Sequence, residues 1–261
     1  MNNLLEAILL GFIEGLTEFL PISSTGHLLI AENWLGRRSD LFNITIQAGA
    51  ILAVTLVYRA RLWHLATHLR ERESRDYVIK LGCAFLITAV LGLTVKALGA
   101  ELPETVAPIA LALIIGGIAI LLIERHVHRL PPRESVTWAV VVAVGVAQVV
   151  AGVFPGTSRS AAAIFAAMLA GLSARPRAAE FAFLVGIPVM FAASGHELLS
   201  TYFEPGAMQA EPWMELGVAF VVAAITGFVA VKWLLRYVSG HSFVPFAWYR
   251  ILLGLLLLAV T

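Results

Sequence analysis

Long apolar runs limit what this chain can fold into more than any other feature of its sequence. Apolar residues make up 59% of the 261 residues and charged residues 13%, whereas soluble domains carry about 25% charged residues. A helix that spans a bilayer needs about 20 mainly apolar residues. Six runs meet this requirement loosely, at residues 41–58, 78–98, 105–123, 179–200, 213–235 and 246–260. The chain is therefore predicted to be an all-α integral membrane protein.

Two further apolar regions are interrupted. Residues 4–34 are broken at Pro21 and residues 136–172 at Pro155, and proline ends or kinks a helix. Each region is long enough for two half-depth helices rather than one unbroken span. Irregular backbone at membrane depth occurs only where protein or a water-filled cavity satisfies it. The two breaks are therefore expected to face each other across a shared cavity.

The two broken regions look like copies of one another at an offset of 134 residues. At that offset Gly11 aligns with Gly145, Glu14 with Gln148, Pro21 with Pro155, Ser23 with Thr157 and Ser24 with Ser158. A repeat that spans half the chain indicates a single membrane domain over residues 1–261, with halves at about 1–130 and 131–261. It also predicts a two-fold site built from both halves.

Charge in the predicted loops indicates how the segments are oriented. Arginines are concentrated after the first and the third predicted spans, whereas the loops at 99–104 and 201–212 contain no lysine or arginine. By the positive-inside rule, the arginine-rich loops are cytoplasmic and the other two are outside. Each broken region must then return to the side from which it started, and an odd number of crossings inverts the second half.

This orientation predicts six transmembrane helices plus two re-entrant helical hairpins, arranged as an inverted-topology repeat. A plain arrangement of eight spans is the alternative. Arg37 and Arg38 would lie outside, which counts against the re-entrant layout. Inverted repeats with broken helices place their ligand sites at the repeat interface, near the midplane of the membrane.

Glu14 and Glu18 are four residues apart, so they share one face of a helix. Carboxylates inside a membrane cost at least a few kcal/mol each, and a positive group must offset them. Hard divalent cations take oxygen ligands, often carboxylates together with substrate phosphates. We therefore expect Glu14 and Glu18 to hold a divalent cation, Mg²⁺ or Ca²⁺. The alternative is that one carboxylate caps a helix or pairs with an arginine.

Hydroxyl residues follow Pro21 at the start of the next half-helix, in the run Ser23, Ser24, Thr25, Gly26 and His27. Any one of these hydroxyls alone is typical of an ordinary N-cap. The run as a whole fits an anion site, because free N–H groups at a helix N-terminus bind phosphate and Gly26 lets a ligand approach the backbone. Ser24 and His27 supply a nucleophile with an adjacent general base.

The matching run in the second half is Thr157, Ser158, Arg159 and Ser160. An arginine at a helix start among hydroxyls suits a phosphate in geometry and charge. Alternatively, Arg159 neutralises one of the two glutamates, and both roles can coexist. Gln47 is a polar residue inside an apolar run, where a helix–helix hydrogen bond or a place in the cavity wall is expected.

These motifs resemble those of the bacterial undecaprenyl-diphosphate phosphatase family, also called the bacitracin-resistance protein family. The similar segments are residues 14–27, 42–54, 155–160, 179–184 and 242–250. The resemblance implies hydrolysis of undecaprenyl diphosphate to the monophosphate, with a divalent cation, at a site open to the outer face.

The resemblance also implies roles for individual residues. Glu14 and Glu18 become the metal or acid–base carboxylates, Ser24 the nucleophile, His27 its base and Arg159 the phosphate ligand. The residues expected to contact the substrate are Ser23, Thr25, Gly26, Thr157, Ser158, Ser160 and Gln47. Ala161 and Ala162 stand where the family usually has Gly and Thr, which bears on fine substrate contacts rather than on the reaction class.

The small net charge and the predicted membrane class of the chain limit which binding partners are expected. A charge of +1 gives no support for nucleic-acid binding, which usually shows a strong basic excess. We expect a polyprenyl diphosphate substrate and membrane lipids as partners, in the bacterial cytoplasmic (inner) membrane. The resemblance implies recycling of the lipid carrier for peptidoglycan and other envelope polymers, and bacitracin resistance. The sequence leaves open whether the protein forms a homodimer.

A transporter or flippase of a phosphorylated polyprenyl lipid is the alternative function. Broken inverted repeats are also typical of transporters, and the same polar residues would serve as a binding site. A carrier needs anion ligands but no nucleophile and base, so the pair Ser24 and His27 favours the hydrolase.

Overall fold

A computed structural model describes residues 3–99, 105–129, 131–203 and 212–260, apart from the side chains of Glu197 and Val260. These residues form eleven α-helices and no strand. In chain order the helices are α1 (Asn3–Thr17), α2 (Ser24–Leu35), α3 (Asp40–Val57), α4 (Arg59–Thr67), α5 (Arg72–Ala97), α6 (Val106–Val127), α7 (Trp138–Val153), α8 (Arg159–Leu169), α9 (Arg175–Phe203), α10 (Trp213–Val238) and α11 (Val244–Val260). The prediction of an all-α chain is confirmed for these residues.

Five helices are long and apolar enough to cross a membrane, namely α3, α5, α6, α9 and α10. They match the first five predicted spans. The sixth predicted span is α11, whose 17 residues fall short of the about 20 that a straight crossing needs. The predicted outer loops at 99–104 and 201–212 lie mostly outside the described residues. The arginine-rich segment after Tyr58, which the charge pattern predicted to be a loop, contains the short helix α4.

Both predicted breaks are present. Helix α1 ends at Thr17 and α2 begins at Ser24, and α7 ends at Val153 and α8 begins at Arg159. Each break contains the proline that interrupts the apolar region. The helix cannot continue through it because proline lacks the N–H that a continuing helix needs. The paired short helices pack against each other, α1 on α2 and α7 on α8.

Each second helix starts at a serine cap in an unusual backbone conformation. The Ser23 hydroxyl accepts a hydrogen bond from Gly26 N (3.4 Å), and the Ser158 hydroxyl accepts one from Ala161 N (3.3 Å). Ser23 has a φ of 74° and Ser158 a φ of 68°. Non-glycine residues in this left-handed region cost about 1–3 kcal/mol each and persist only where the surrounding structure fixes them.

The two caps correct the alignment of the repeat. The sequence offset paired Ser23 with Thr157 and Ser24 with Ser158, but the N-caps are Ser23 and Ser158. The pairing after the prolines was therefore wrong by one residue. The stretch from the proline to the first helical residue is one residue longer in the second half, so Arg159 takes the first helical position that Ser24 takes in the first half.

Glycines let the first helix of each pair approach a long helix closely. A Cβ added at Gly11 or Gly15 would collide with the backbone carbonyl of Ala219 or Ala223 on α10. A Cβ at Gly145 on α7 would lie 2.8 Å from a methyl carbon of Ile87 on α5. The aligned glycines Gly11 and Gly145 thus serve the same purpose, since each seats a short helix against a long one.

A buried ion pair ties α6, α9 and the start of α11 together. Arg175 donates to Glu124 through Nε (2.9 Å) and Nη2 (2.5 Å), and Phe243 N donates to the same carboxylate (3.1 Å). Because both oxygens of the buried Glu124 carboxylate are hydrogen-bonded, its charge is compensated. This ion pair fixes the N-terminal end of α11, and the helix runs from there towards the two breaks.

Candidate active site

The two breaks meet in one hydrogen-bonded network. The Ser160 hydroxyl on α8 donates to the carbonyl of Leu20 in the first break (3.1 Å). The Arg250 guanidinium on α11 donates to the carbonyls of Pro21 (3.4 Å) and Thr157 (3.1 Å). Residues from both halves of the chain therefore line one site, as the repeated breaks predicted.

Ser24 and Glu18 form the shortest contact in this site. The Ser24 hydroxyl donates to Glu18 Oε2 at 2.5 Å, and both side chains are buried. Ser24 stands at the first position of α2, where the helix N-terminus favours negative charge. A carboxylate bonded to a hydroxyl can accept its proton when the oxygen attacks. The sequence predicted Glu18 as a metal or acid–base group and Ser24 as a nucleophile, and the structure brings the two together.

His27 has other partners than Ser24. Its Nδ1 lies 2.7 Å from the Ser23 carbonyl oxygen and its Nε2 lies 2.6 Å from the Tyr249 hydroxyl. A carbonyl can only accept, so Nδ1 carries a proton and, in the neutral ring, Nε2 accepts from Tyr249. Both ring nitrogens are therefore occupied. The structure does not bring His27 to the Ser24 hydroxyl, and the general-base role of His27 stays a prediction.

Glu14 is a fully buried carboxylate that lacks hydrogen bonds. Its exposure is 0%, and neither carboxylate oxygen has a hydrogen-bond partner among the described residues. It lies within electrostatic range of Glu18 and Arg159. Burying a charge is costly unless it is paired, and a cation held by Glu14 and Glu18 would add such a partner beside Arg159.

The protein supplies only part of such a coordination sphere. No group of three or more His, Cys, Asp or Glu side chains that could hold a metal occurs within the described ranges. Mg²⁺ typically takes one or two carboxylates and completes its ligands with water and substrate phosphate. Two carboxylates beside a phosphate site therefore suit Mg²⁺ or Ca²⁺ better than a metal that needs a complete protein cage.

Arg159 lines two cavities. A narrow cleft is lined by Glu18, Gln148, Arg159 and Ser160, among others. Gln148 and Arg159 also line a larger cavity of about 510 Å³, whose other walls are mostly apolar and come from α3, α5, α7 and α9. Arg159 makes no hydrogen bond or ion pair to any residue that the structure describes. Its guanidinium is close enough to Glu14 to act on that charge, and its N–H groups are available to a ligand.

The larger cavity also explains two glutamines. Gln47 lines it, as one of the two predictions for this residue stated. Gln148, which aligns with Glu14, is buried, and its side-chain oxygen has no partner among the described residues. Buried polar groups thus occur at the same position of both repeats, Glu14 in the first and Gln148 in the second, and Gln148 lines both cavities.

The remaining predicted substrate contacts are engaged within the protein to different degrees. The Ser158 and Ser160 hydroxyls lie 3.1 Å apart, and Ser23 caps α2. Gly26 faces α6, since an added Cβ would lie 3.4 Å from Ile109. Thr25 is half-buried with its side chain in no described hydrogen bond, and Thr157 contributes its carbonyl to Arg250.

The alanines that depart from the family pattern lie on the first turn of α8. Ala161 is buried and its N–H donates to the Ser158 cap. The N–H of Ala162 donates to the Ser158 carbonyl (2.9 Å). The backbone of this turn is therefore regular; relative to the family pattern, Ala161 adds a methyl group and Ala162 lacks a hydroxyl.

The sequence motifs did not predict two residues of the site. Tyr249 contacts His27, and Arg250 contacts both breaks. They appeared only as part of a similar segment at residues 242–250. The signal that could have identified Arg250 is an arginine in the middle of an apolar run without an acidic neighbour in the sequence.

Comparison with known proteins identifies one family. The family model described as "Bacitracin resistance protein BacA" matches residues 7–256. A protein named "Undecaprenyl-diphosphatase" from Xanthomonas campestris pv. campestris (strain 8004) is 64% identical over 258 residues, which cover 99% of this chain and 98% of the relative. Proteins of the same name are 64% identical in Xanthomonas oryzae pv. oryzae (strain PXO99A), with 97% of that relative covered, and 63% identical in Xylella fastidiosa (strain 9a5c), with 98% covered.

Both the family match and these relatives extend over nearly the whole chain, including both breaks and α11. The conclusion is that this chain belongs to the bacitracin resistance protein BacA family.

Proposed function

We propose that this protein hydrolyses undecaprenyl diphosphate to undecaprenyl phosphate and inorganic phosphate inside the membrane. The observation that carries this proposal is the Ser24 hydroxyl bonded to Glu18 at 2.5 Å, because Glu18 also lines a narrow cleft together with Arg159 of the other half. A nucleophile bonded to a proton acceptor, with a cation lining the same cleft as that acceptor, is what phosphoryl transfer needs. Relatives more than 60% identical carry the name of this activity.

The reaction follows from the geometry in two steps. Glu18 accepts the proton of Ser24, and the Ser24 oxygen forms a bond to the terminal phosphorus while the bond to the bridging oxygen breaks. Polyprenyl monophosphate leaves with the bridging oxygen, and a water molecule then releases phosphate from the serine. Arg159 and the N-termini of α2 and α8 stabilise the charge on the transferring group. Attack by a water held at Glu18, without the serine intermediate, fits the same residues.

Glu14 and Glu18 would hold the divalent cation. When bound, the cation neutralises charge on the phosphate oxygens and on the two glutamates. The apolar walls of the larger cavity suit the polyprenyl chain, while the diphosphate would lie at Arg159, which lines both the cleft and the larger cavity.

The packing of the helices supports the re-entrant inverted repeat. Helix α1 of the first half packs on α10 of the second, and α7 of the second half packs on α5 of the first. Likewise α3 packs on α10 and α9 on α5. Each contact recurs with the halves exchanged, as a two-fold relation in the membrane plane requires. With this topology the site faces the outer side of the inner membrane of a bacterium. The product, undecaprenyl phosphate, returns to envelope synthesis, and the activity of the protein confers bacitracin resistance.

The activity is tested with purified protein in detergent and in sealed vesicles. Phosphate release from a long-chain polyprenyl diphosphate is measured without cation, with Mg²⁺ and with Ca²⁺. The same vesicles report whether a labelled polyprenyl phosphate crosses the bilayer. Cation-dependent release that does not require transbilayer movement is the expected result. Folded protein that moves the lipid but releases no phosphate under any cation would replace the hydrolase with the transporter.

A further inference from the structure

One arginine that was not predicted for the site touches both breaks. The side chain of Arg250 on α11 is fully buried, at 0% exposure. Its guanidinium makes five hydrogen bonds, one from Nε, two from Nη1 and two from Nη2. A guanidinium has five N–H donors and remains charged in proteins, so its full donor set is in use.

All five acceptors are backbone carbonyls, and they lie on three separate segments. They are Pro21 (3.4 Å) in the first break, Gly156 (3.1 Å) and Thr157 (3.1 Å) in the second, and Ala112 (3.1 Å) and Leu113 (3.4 Å) on α6. No carboxylate of the described chain lies within ion-pair distance of Arg250. The charge is therefore compensated by carbonyl dipoles of the segments that it joins.

Helix α6 leaves room for the Arg250 side chain at Gly116. A Cβ added at Gly116 on α6 would collide with Nη2 of Arg250. The second break packs against the same helix, since a Cβ at Gly156 would lie 2.8 Å from the Ile109 carbonyl oxygen. Helix α6 and Arg250 together thus form the support on which both breaks rest.

The segments after these carbonyls lead directly to Ser24 and Arg159, the two residues that are assigned to the reaction. Two residues after Pro21 comes Ser23, and directly after Thr157 comes Ser158, the two serines with positive φ. Each strained serine is followed by the first residue of a half-helix, Ser24 or Arg159. Strained backbone persists only when neighbouring contacts fix it, and Arg250 makes contacts of that kind to both breaks at once.

We propose that Arg250 is a positioning residue, which sets the separation and orientation of the two half-helix N-termini so that Ser24 and Arg159 act on one phosphoryl group. It is not a catalytic residue, because it is fully buried and its donors are used by the backbone. Its effect on the reaction passes through the carbonyls of Pro21, Gly156 and Thr157.

This inference rests on the proposed phosphatase function, and two kinds of measurement keep the two ideas separable. The first is kcat and KM per folded molecule for Arg250→Met and Arg250→Lys. The second is amide hydrogen exchange in the segments 18–24 and 154–159, which needs no substrate. Gly116→Ala serves as a second variant, because it displaces the guanidinium while every reactive group is kept. Gly82→Ala is the control, because nothing lies within 4 Å of its Cβ position.

We expect Arg250→Met to lower kcat about a hundredfold with KM changed less than about threefold, since misplacement of reacting groups has costs of this size. Lysine retains the charge but lacks the fork of donors, so Arg250→Lys should recover only part of the loss. Gly116→Ala should resemble Arg250→Lys, and Gly82→Ala the wild type. Exchange should accelerate in both breaks together, while α3 and α10 remain unchanged.

Three results would overturn the positioning role. The first is wild-type kcat in the folded fraction of Arg250→Met or Gly116→Ala, whatever their stability. The second is faster exchange in only one break, and the third is equal acceleration throughout the protein. A wild type that releases no phosphate would defeat the proposed function alone, because the exchange measurement would still decide whether Arg250 couples the two breaks.

Discussion

The hydrogen-bond partner of Ser24 depends on the positive φ of the preceding residue, Ser23, which the sequence does not predict. Serine at a φ of 74° is uncommon, because only glycine and, less often, asparagine or aspartate enter this region readily. Through that turn Ser24 reaches Glu18 at 2.5 Å, whereas a regular turn would have favoured His27 three residues on. The residue types of the site were therefore predictable, but the assignment of hydrogen-bond partners was not.

Glu18→Gln and Ser24→Ala test the central contact at the residue scale. We expect each to reduce kcat about a thousandfold, since positioned acid–base groups and nucleophiles contribute about this much. The measurement is phosphate release from polyprenyl diphosphate at saturating cation. Ser239→Ala is a matched control, because Ser239 is exposed at the end of α10, donates to the Leu235 carbonyl of its own helix and lines neither cavity. A Ser24→Ala variant that retains most of its rate while Glu18→Gln loses it would assign the attack to water.

Tyr249→Phe and His27→Gln test what His27 does. Since both ring nitrogens are hydrogen-bonded, we expect a supporting role in which either change costs about 1 kcal/mol, or about five- to tenfold in kcat. The two variants should therefore be similar. If His27→Gln loses a thousandfold or more and Tyr249→Phe loses little, His27 is the base and the Ser24–Glu18 assignment is wrong.

At the scale of elements, proline placement predicted where the helices break, but not the register beyond the break. One additional residue between the proline and the helix start in the second half puts Arg159 where Ser24 stands in the first half. Sequence alignment at a fixed offset cannot find such a difference, because Pro21 and Pro155 match well on the other side of it. The inversion of roles, a nucleophile in one half and a cation in the other, follows from that shift.

Gly15→Ala tests how α1 is held. Its Cβ would collide with the Ala223 carbonyl and lie 2.9 Å from Gly227 N, and both are backbone atoms that move only if the helices separate. Overpacking of this kind costs about 1–3 kcal/mol, which exceeds the gain of about 0.5–1 kcal/mol from replacing a helical glycine. We expect a lower midpoint of thermal unfolding in detergent.

The control for this change is Gly217→Ala on α10, where nothing lies within 4 Å of the Cβ position. It should leave the midpoint unchanged or raise it slightly, because only the helix-propensity gain remains. Equal midpoints for the two variants would contradict close packing of α1 on α10.

At the scale of the whole molecule, the long apolar helices could be predicted, because hydrophobic length is written directly in the sequence. The joining of the two halves could only be predicted in outline. Arg250 makes its contacts to backbone carbonyls from three segments, and carbonyls carry no residue signature. A residue whose partners are backbone atoms is visible only after the fold has placed those atoms around it.

The account as a whole claims that one site is assembled from both halves, with Glu18 and Arg159 acting on the same phosphoryl group. A double-mutant cycle on kcat/KM with Glu18→Asp and Arg159→Lys measures this directly, because both changes are mild enough for the double variant to be assayed. Residues that act as a unit have strongly non-additive effects. We predict that the double variant loses little more than the worse single variant. Losses that multiply would mean that the two halves act independently, which would contradict the account.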